Sequence, residues 1–152
     1  MSQSLAKVLV HIVYSTKHRQ RSLDDPMLRS ELYAYNATVL KKDVDSPALL
    51  IGGAADHLHV LCLLSRKFAI MDIIKKSKTE TSKWIKKRAP ARTDFQWQAG
   101  YGIFSVSQSN AEQVRQYIAN QEEHHKRISF QDEFRALCQR HGIALDERYA
   151  WD

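Results

Sequence analysis

Cysteine is scarce: Cys62 and Cys138 are the only two in 152 residues. They are too few for a disulfide framework, and no Cys-x-x-Cys pair offers a structural zinc site. No apolar run approaches the roughly 20 residues that a membrane helix needs. The stretch from Met1 to Lys7 lacks the apolar core of a secretory signal. There is no Gly-x-x-x-x-Gly-Lys-Ser/Thr loop and no Gly-x-Gly-x-x-Gly turn, which argues against nucleotide-driven chemistry, and no Gly-x-Ser-x-Gly elbow. Internal repeats, low-complexity tracts and linkers are missing too. These absences leave a reduced, soluble, cytoplasmic protein as the expectation, with one domain over residues 1–152.

What is present is ordinary for a globular chain, with 43% hydrophobic and 26% charged residues. Such a length buries a real core without staples. The net charge of +6 is unevenly spread. Arg66 to Arg92 holds ten basic and two acidic residues, and the rest of the chain has a charge of −2. A concentrated basic patch reads as a docking surface for a polyanion, or more plainly as the solvated face of a lysine-rich helix.

Hydrophobic patterning gives the element order. Ala6–Thr16 reads as a central strand, and Asp25 with Pro26 opens a helix to about Lys42 with Leu28, Leu32, Tyr35 and Val39 on one stripe. Pro47–Gly53 and His57–Leu64 read as two strands close enough to pair as a hairpin. The basic helix spans about Ala69–Lys87, with Ile70, Ile73, Ile74, Ser77, Thr81, Trp84 and Ile85 inward. Phe95–Ser107 is strand-like, with Gly100 and Gly102 marking a bend. Ser109 and Glu112 form a capping box for a helix over about Asn110–Arg127. Ser129 opens a last helix that Gly142 closes, and Ile143–Asp152 is a docked arm. The order β-α-β-β-α-β plus two helices predicts an α+β, ferredoxin-like (RRM-like) antiparallel sheet with helices on one face. That fold serves nucleic-acid binders and enzymes alike, so it does not settle function.

Two constellations carry candidate chemistry. His57 and His59 are two apart on a strand, so they share a face and can converge on one metal ion, with Asp56 just before them. Two imidazoles hold a divalent ion poorly, so a third ligand must come from elsewhere. The bland alternative is a pair of ordinary sheet histidines. Tyr117 and Gln121, four apart on a helix, offer a nucleophile and a hard ligand oxygen, or simply a tyrosine at a helix–sheet contact. His124 and His125 follow, either as further ligands or as partners of a helix C-terminus.

Taken in order, these pieces resemble the single-tyrosine HUH transposases, the small TnpA-type enzymes of insertion sequences, including those associated with REP repeats. The resemblance rests on HIVYSTKHR at 11–19, DHLHVL at 56–61, TSKWIKK at 81–87, WQAGYGIFSVS at 97–107, YIANQEEHH at 117–125 and HGIALDERYAW at 141–151. It implies that His57 and His59 are metal ligands, that Gln121 completes the coordination of Mg²⁺ or Mn²⁺, and that Tyr117 forms a 5′-phosphotyrosine link. It also implies a dimer with composite sites, each taking its histidines from one chain and Tyr117 from the other, acting on hairpin-bearing single-stranded DNA. A phosphotyrosine conserves the phosphodiester energy, which fits the missing phosphate loop. Lys75, Lys76, Lys78 and Lys83 are the expected phosphate contacts, and Trp97 and Tyr101 are expected to stack on bases, with Trp84 falling on the apolar stripe. The competing readings are an RRM-like nucleic-acid-binding module with no chemistry and, with the same site, a domesticated relative that processes chromosomal repeats.

Overall fold

The Val- and Ile-rich start of the chain forms strand β1, Leu9–Ser15, buried along its whole length as a central strand should be. The computed structural model describes residues 2–152. After β1 come α1 (Pro26–Val44), β2 (Ala48–Ala54), β3 (His57–Leu63) and α2 (Ile70–Arg88). They are followed by β4 (Gly102–Val106), α3 (Ala111–Ala119), α4 (Gln121–His124) and α5 (Phe130–Arg140). The strands pair antiparallel in the order β2-β3-β1-β4. This is the expected split βαβ sheet.

Helix signals hold at three ends. Asp25 caps α1 by accepting from the Met27 amide at 3.0 Å. Ser129 caps α5 by accepting from Asp132 at 3.1 Å. Gly142, at φ 68°, makes the left-handed turn after α5. The Ser109–Glu112 capping box does not form: Ser109 Oγ pairs with Ser107 Oγ instead, and α3 starts without a side-chain cap. The helix expected over 110–127 breaks at Asn120, whose φ and ψ of −98° and 17° separate α3 from α4.

The strand expected over 95–107 is regular only from Gly102, although Trp97 still bridges Thr16. Between them the backbone bulges. The carbonyls of Gln98 and Gly100 take the Lys78 ammonium at 2.7 and 2.6 Å, and the Ala99 amide donates to the Asp152 carbonyl at 2.8 Å. The arm at 143–152 is docked as expected, with Trp151 against α5 and the guanidiniums of Arg19 and Arg135 over its ring.

The sheet is covered on both faces. Val10, Ile12, Tyr14, Leu58, Val60 and Cys62 point into the main core beneath α1 and α2. Inside that core Tyr14 Oη, Ser77 Oγ and Asn36 Oδ1 form a hydrogen-bonded chain at 2.9 and 2.8 Å. The other face carries Val13 and Phe104 against Phe130, Phe134 and Leu137 of α5. His11, His57 and His59 belong to this second face by strand alternation. Helices on one face were expected from the sequence; α3, α4 and α5 cover the second.

Candidate metal and nucleophile centre

The register places Val13 and Gly52 on either side of His59, with Ser15 and Ala54 beside His57. Gly52 matters because α3 rests directly on it: a Cβ there would meet the Ile118 carbonyl oxygen at 2.7 Å. That close approach sets Tyr117 beside the strand histidines, with its ring 5.7 Å from His59 and 6.2 Å from His11, centroid to centroid.

Three imidazoles have one nitrogen engaged and the other turned inward. His57 Nδ1 lies 2.7 Å from Asp56 Oδ1, and its Nε2 lies 2.9 Å from Gln121 Oε1. Burial alone would raise Asp56, but the hydrogen bond from His57 holds its carboxyl below the usual range. His59 Nδ1 lies 2.7 Å from His11 Nε2, and its Nε2 lies 2.9 Å from Glu133 Oε1. His125 Nδ1 donates to the Ile128 carbonyl at 2.7 Å. Its Nε2 stands 3.1 Å from Glu133 Oε1; burial would lower this imidazole, but the Glu133 carboxylate raises it above its ordinary value.

Glu133, on α5, unites the group. It is only 2% exposed, and Gln121 Nε2 donates to its Oε2 at 3.0 Å, as does the Tyr117 hydroxyl. Burial would push this carboxyl up, but hydrogen bonds from His125 and His59 hold it far below the usual carboxylate range, so it is an anion. Burial lowers His59 to about 4 against the pull of Glu133, and burial followed by the charge of His59 lowers His11 to about 3. Both are neutral near pH 7. The Tyr117 phenol is pushed above its ordinary value, first by burial and then by the Glu133 charge.

One donor atom from each of His57, His59, His125 and Glu133 lies within 4.8 Å of the others. Their opposite ring nitrogens are fixed by Asp56, His11 and the Ile128 carbonyl, the supporting contacts that orient metal-ligating histidines. Three imidazole nitrogens and one carboxylate oxygen so close together make a donor set that fits a divalent cation. His57, His59, Gln121 and Tyr117 are thus brought together as a group. His125 joins them, while His124 stays at the rim with Nε2 3.4 Å from Glu133 Oε2.

Sequence reasoning missed His11 and Glu133. The signal for Glu133 was an acid inside the apolar stripe Phe130, Phe134, Leu137, at core spacing on α5. The trans arrangement implied by the resemblance needs α3 to leave its own sheet. In this chain α3 packs on its own β2, and Tyr117 stands at its own His59.

The expected nucleic-acid contacts lie elsewhere, because α2 packs on the sheet face opposite the histidines. Lys75 and Tyr101 border a groove between α2 and residues 96–101. Lys76 and Lys83 flank Glu80 at 3.6 and 3.9 Å. Lys78, besides holding the bulge, lies 5.1 Å above the Tyr14 ring, and burial lowers its ammonium to about 8. Trp97 corrects the expectation of a stacking platform: it is 8% exposed, donates to Thr81 Oγ1 at 3.0 Å and meets Tyr14 and Phe95 edge-on. Its faces belong to the core. Tyr101, 38% exposed, keeps a face available. Trp84 stacks on Tyr35 at 5.6 Å.

The split βαβ sheet thus carries a histidine–tyrosine–carboxylate centre on its second face, beneath α3 to α5. The chain belongs to the IS200-like transposase family, whose sequence pattern ("Transposase IS200 like") matches residues 4–121. Membership implies a DNA-processing enzyme of transposition. Two solved structures share the fold. One, from Deinococcus radiodurans and described as a candidate transposase, is 21% identical with a TM-score of 0.63, covering 80% of this chain and 98% of that one. The other, a REP-associated tyrosine transposase bound to a REP hairpin, is 11% identical with a TM-score of 0.60, covering 84% of this chain and 74% of that one. No curated protein matches the chain. The family match ends at Gln121, so His125 and Glu133 lie beyond it. Among the described residues, no helix is long and apolar enough to cross a membrane.

Proposed function

We propose that this chain cleaves and rejoins single-stranded DNA beside hairpins through a covalent phosphotyrosine on Tyr117. The observation that carries the reading is the convergence of the Tyr117 hydroxyl and three imidazoles on one buried carboxylate. Tyr117 Oη attacks the scissile phosphorus, the bond to the 3′ oxygen breaks, and that oxygen leaves as a 3′ hydroxyl. The phenol proton, held at rest in the hydrogen bond to Glu133 Oε2, is the one the leaving 3′ oxygen takes up, so the exchange consumes no net proton. Attack by another 3′ hydroxyl reverses the step, so rejoining needs no ATP.

His57, His59, His125 and Glu133 would hold the cation, with Gln121 Oε1 at hand beside His57. When bound, a divalent ion supplies polarisation of the phosphate and neutralisation of developing charge. Glu133 keeps the phenol protonated until its charge is offset, which confines nucleophilicity to the loaded site. Lys75, Lys76, Lys78, Lys83 and Tyr101 remain the proposed DNA-facing groups of the α2 side.

The substrate class follows the relative bound to a REP hairpin. A hairpin is recognised as folded DNA, and the adjoining single strand needs no unpairing before attack. In this reading each chain holds a whole site in cis, because Tyr117 already faces its own histidines.

The test is incubation with hairpin-bearing single strands and Mn²⁺, followed by a denaturing gel. Wild type should give a protein–DNA adduct that Tyr117→Phe lacks while still binding the hairpin. An adduct in the Phe variant would reassign the nucleophile.

A further inference from the structure

The basic helix and the histidine centre lie on opposite faces of the sheet, so a strand held by one must pass an edge or an end of the sheet to reach the other. Three clefts mark such a route, the first two sharing a wall and the third reached along residues 17–21. The first, of about 430 Å³, runs between α2 and residues 96–101 with Lys75 and Lys78 at its side. The second, of about 470 Å³, shares Gln96, Trp97 and Ala99 with the first and adds Lys17 and His18. The third, of about 280 Å³, is lined by Arg19 and Arg21 and reaches Asp56 and His125 at the centre itself. Residues 17–21 follow directly after β1 and join the second cleft to the third.

We infer that these clefts form one track for single-stranded DNA, running from the α2 groove past Lys17, Arg19 and Arg21 to the Asp56 and His125 side of the histidine centre. The inference rests on the function proposed above and adds the path of the strand. Lys17, Arg19 and Arg21 take backbone phosphates, which carry no sequence information but set register. The turn is built to present them. His18 and Arg19 adopt left-handed φ values of 57° and 54°, a conformation side-chain-bearing residues rarely take and one found where ligands are held. Arg19 is fixed by donating to the Trp151 carbonyl at 3.1 Å. The acidic groups along the route are Asp56, turned to His57 at 2.7 Å, and Asp152. Five basic side chains on the route outnumber them: Lys17, Arg19, Arg21, Lys75 and Lys78.

The experiment uses the full chain and labelled oligo(dT) of about 20 nucleotides, longer than one ordinary single-strand footprint. Binding is read by anisotropy across a salt series. Lys17→Ala/Arg21→Ala removes two exposed cations and spares Arg19, which anchors the arm. Losing two phosphate contacts should flatten the log–log salt slope by about 1.4 and weaken binding roughly 25-fold at 0.1 M salt. Lys41→Ala/Lys42→Ala, at the far end of α1, makes the same charge change off the track and should leave the slope as in wild type. An unchanged slope in the first variant, an equal loss in the second, or no oligo(dT) binding by wild type would each overturn the track. The covalent adduct is scored separately on hairpin DNA. An adduct with an unchanged salt slope sinks the track alone, whereas the expected slope change without any wild-type adduct sinks the catalytic reading alone.

Discussion

Glu133 is an anion with almost no water around it, and each of its neighbours has arranged itself to that charge. Desolvating a lone carboxylate costs several kcal/mol, so such a group survives inside a protein only when partners surround it. Here the partners are His59, His125, Gln121 and the Tyr117 hydroxyl. Removing the carboxylate therefore tests more than a sum of contacts. With metal-free protein, Mn²⁺ at about 100 times its Kd should add about 2.7 kcal/mol of stability, which is roughly 5–10 °C in Tm for a chain of this size. Glu133→Ala and His125→Ala should lose most of that shift, and His124→Ala should keep it. A full Mn²⁺ shift in Glu133→Ala, read by thermal denaturation, would remove Glu133 from the ligand set and leave the imidazoles and Gln121 to hold the ion.

Helix α3 gains its place from a missing side chain on the strand beneath it. Gly52→Ala puts a methyl group against the Ile118 backbone oxygen, where no rotamer can move aside. We expect a loss of about 1–3 kcal/mol in urea denaturation, together with a larger fall in adduct formation as Tyr117 shifts from the centre. Wild-type stability and activity together would show that the contact is dispensable. The strands, the first two helices and the order of elements were legible in the sequence because period-2 and period-3.6 patterns and the Asp25 and Ser129 caps all agreed. The break at Asn120 was not, since Tyr117, Gln121 and His124 keep helical spacing on either side of it. The shortened β4 was hidden for another reason. What ends it is Lys78 from a distant helix and the Asp152 carbonyl, and no local pattern announces such partners. The site was half legible: His57, His59, Tyr117 and Gln121 carry familiar spacing, whereas His11 and Glu133 reach the centre only through β1–β3 pairing and the docking of α5.

At the scale of the molecule, a four-stranded sheet has been roofed twice, by α1 and α2 over the main core and by α3 to α5 over the face that carries the histidines. Whether one chain suffices is open to a mixing experiment. His57→Ala and Tyr117→Phe proteins should each be inactive, and under the cis reading their mixture stays inactive after verified subunit exchange. Recovered adduct formation would mean that histidines and tyrosine from different chains meet, and the cis site would fall. One further consequence comes from the order in which the parts are made. The chain is synthesised from residue 1, yet β1 sits between β3 and β4 and must wait for both, so the β2–β3 hairpin is the earliest sheet pairing available. His11 emerges first among the members of the centre and Glu133 last. A nascent chain that has reached Gln121 already holds its histidine pair, its tyrosine and its whole sheet, but not the carboxylate that joins them. During translation the sheet is therefore complete in sequence before the centre is, and Glu133 joins the histidines only once α5 has been delivered.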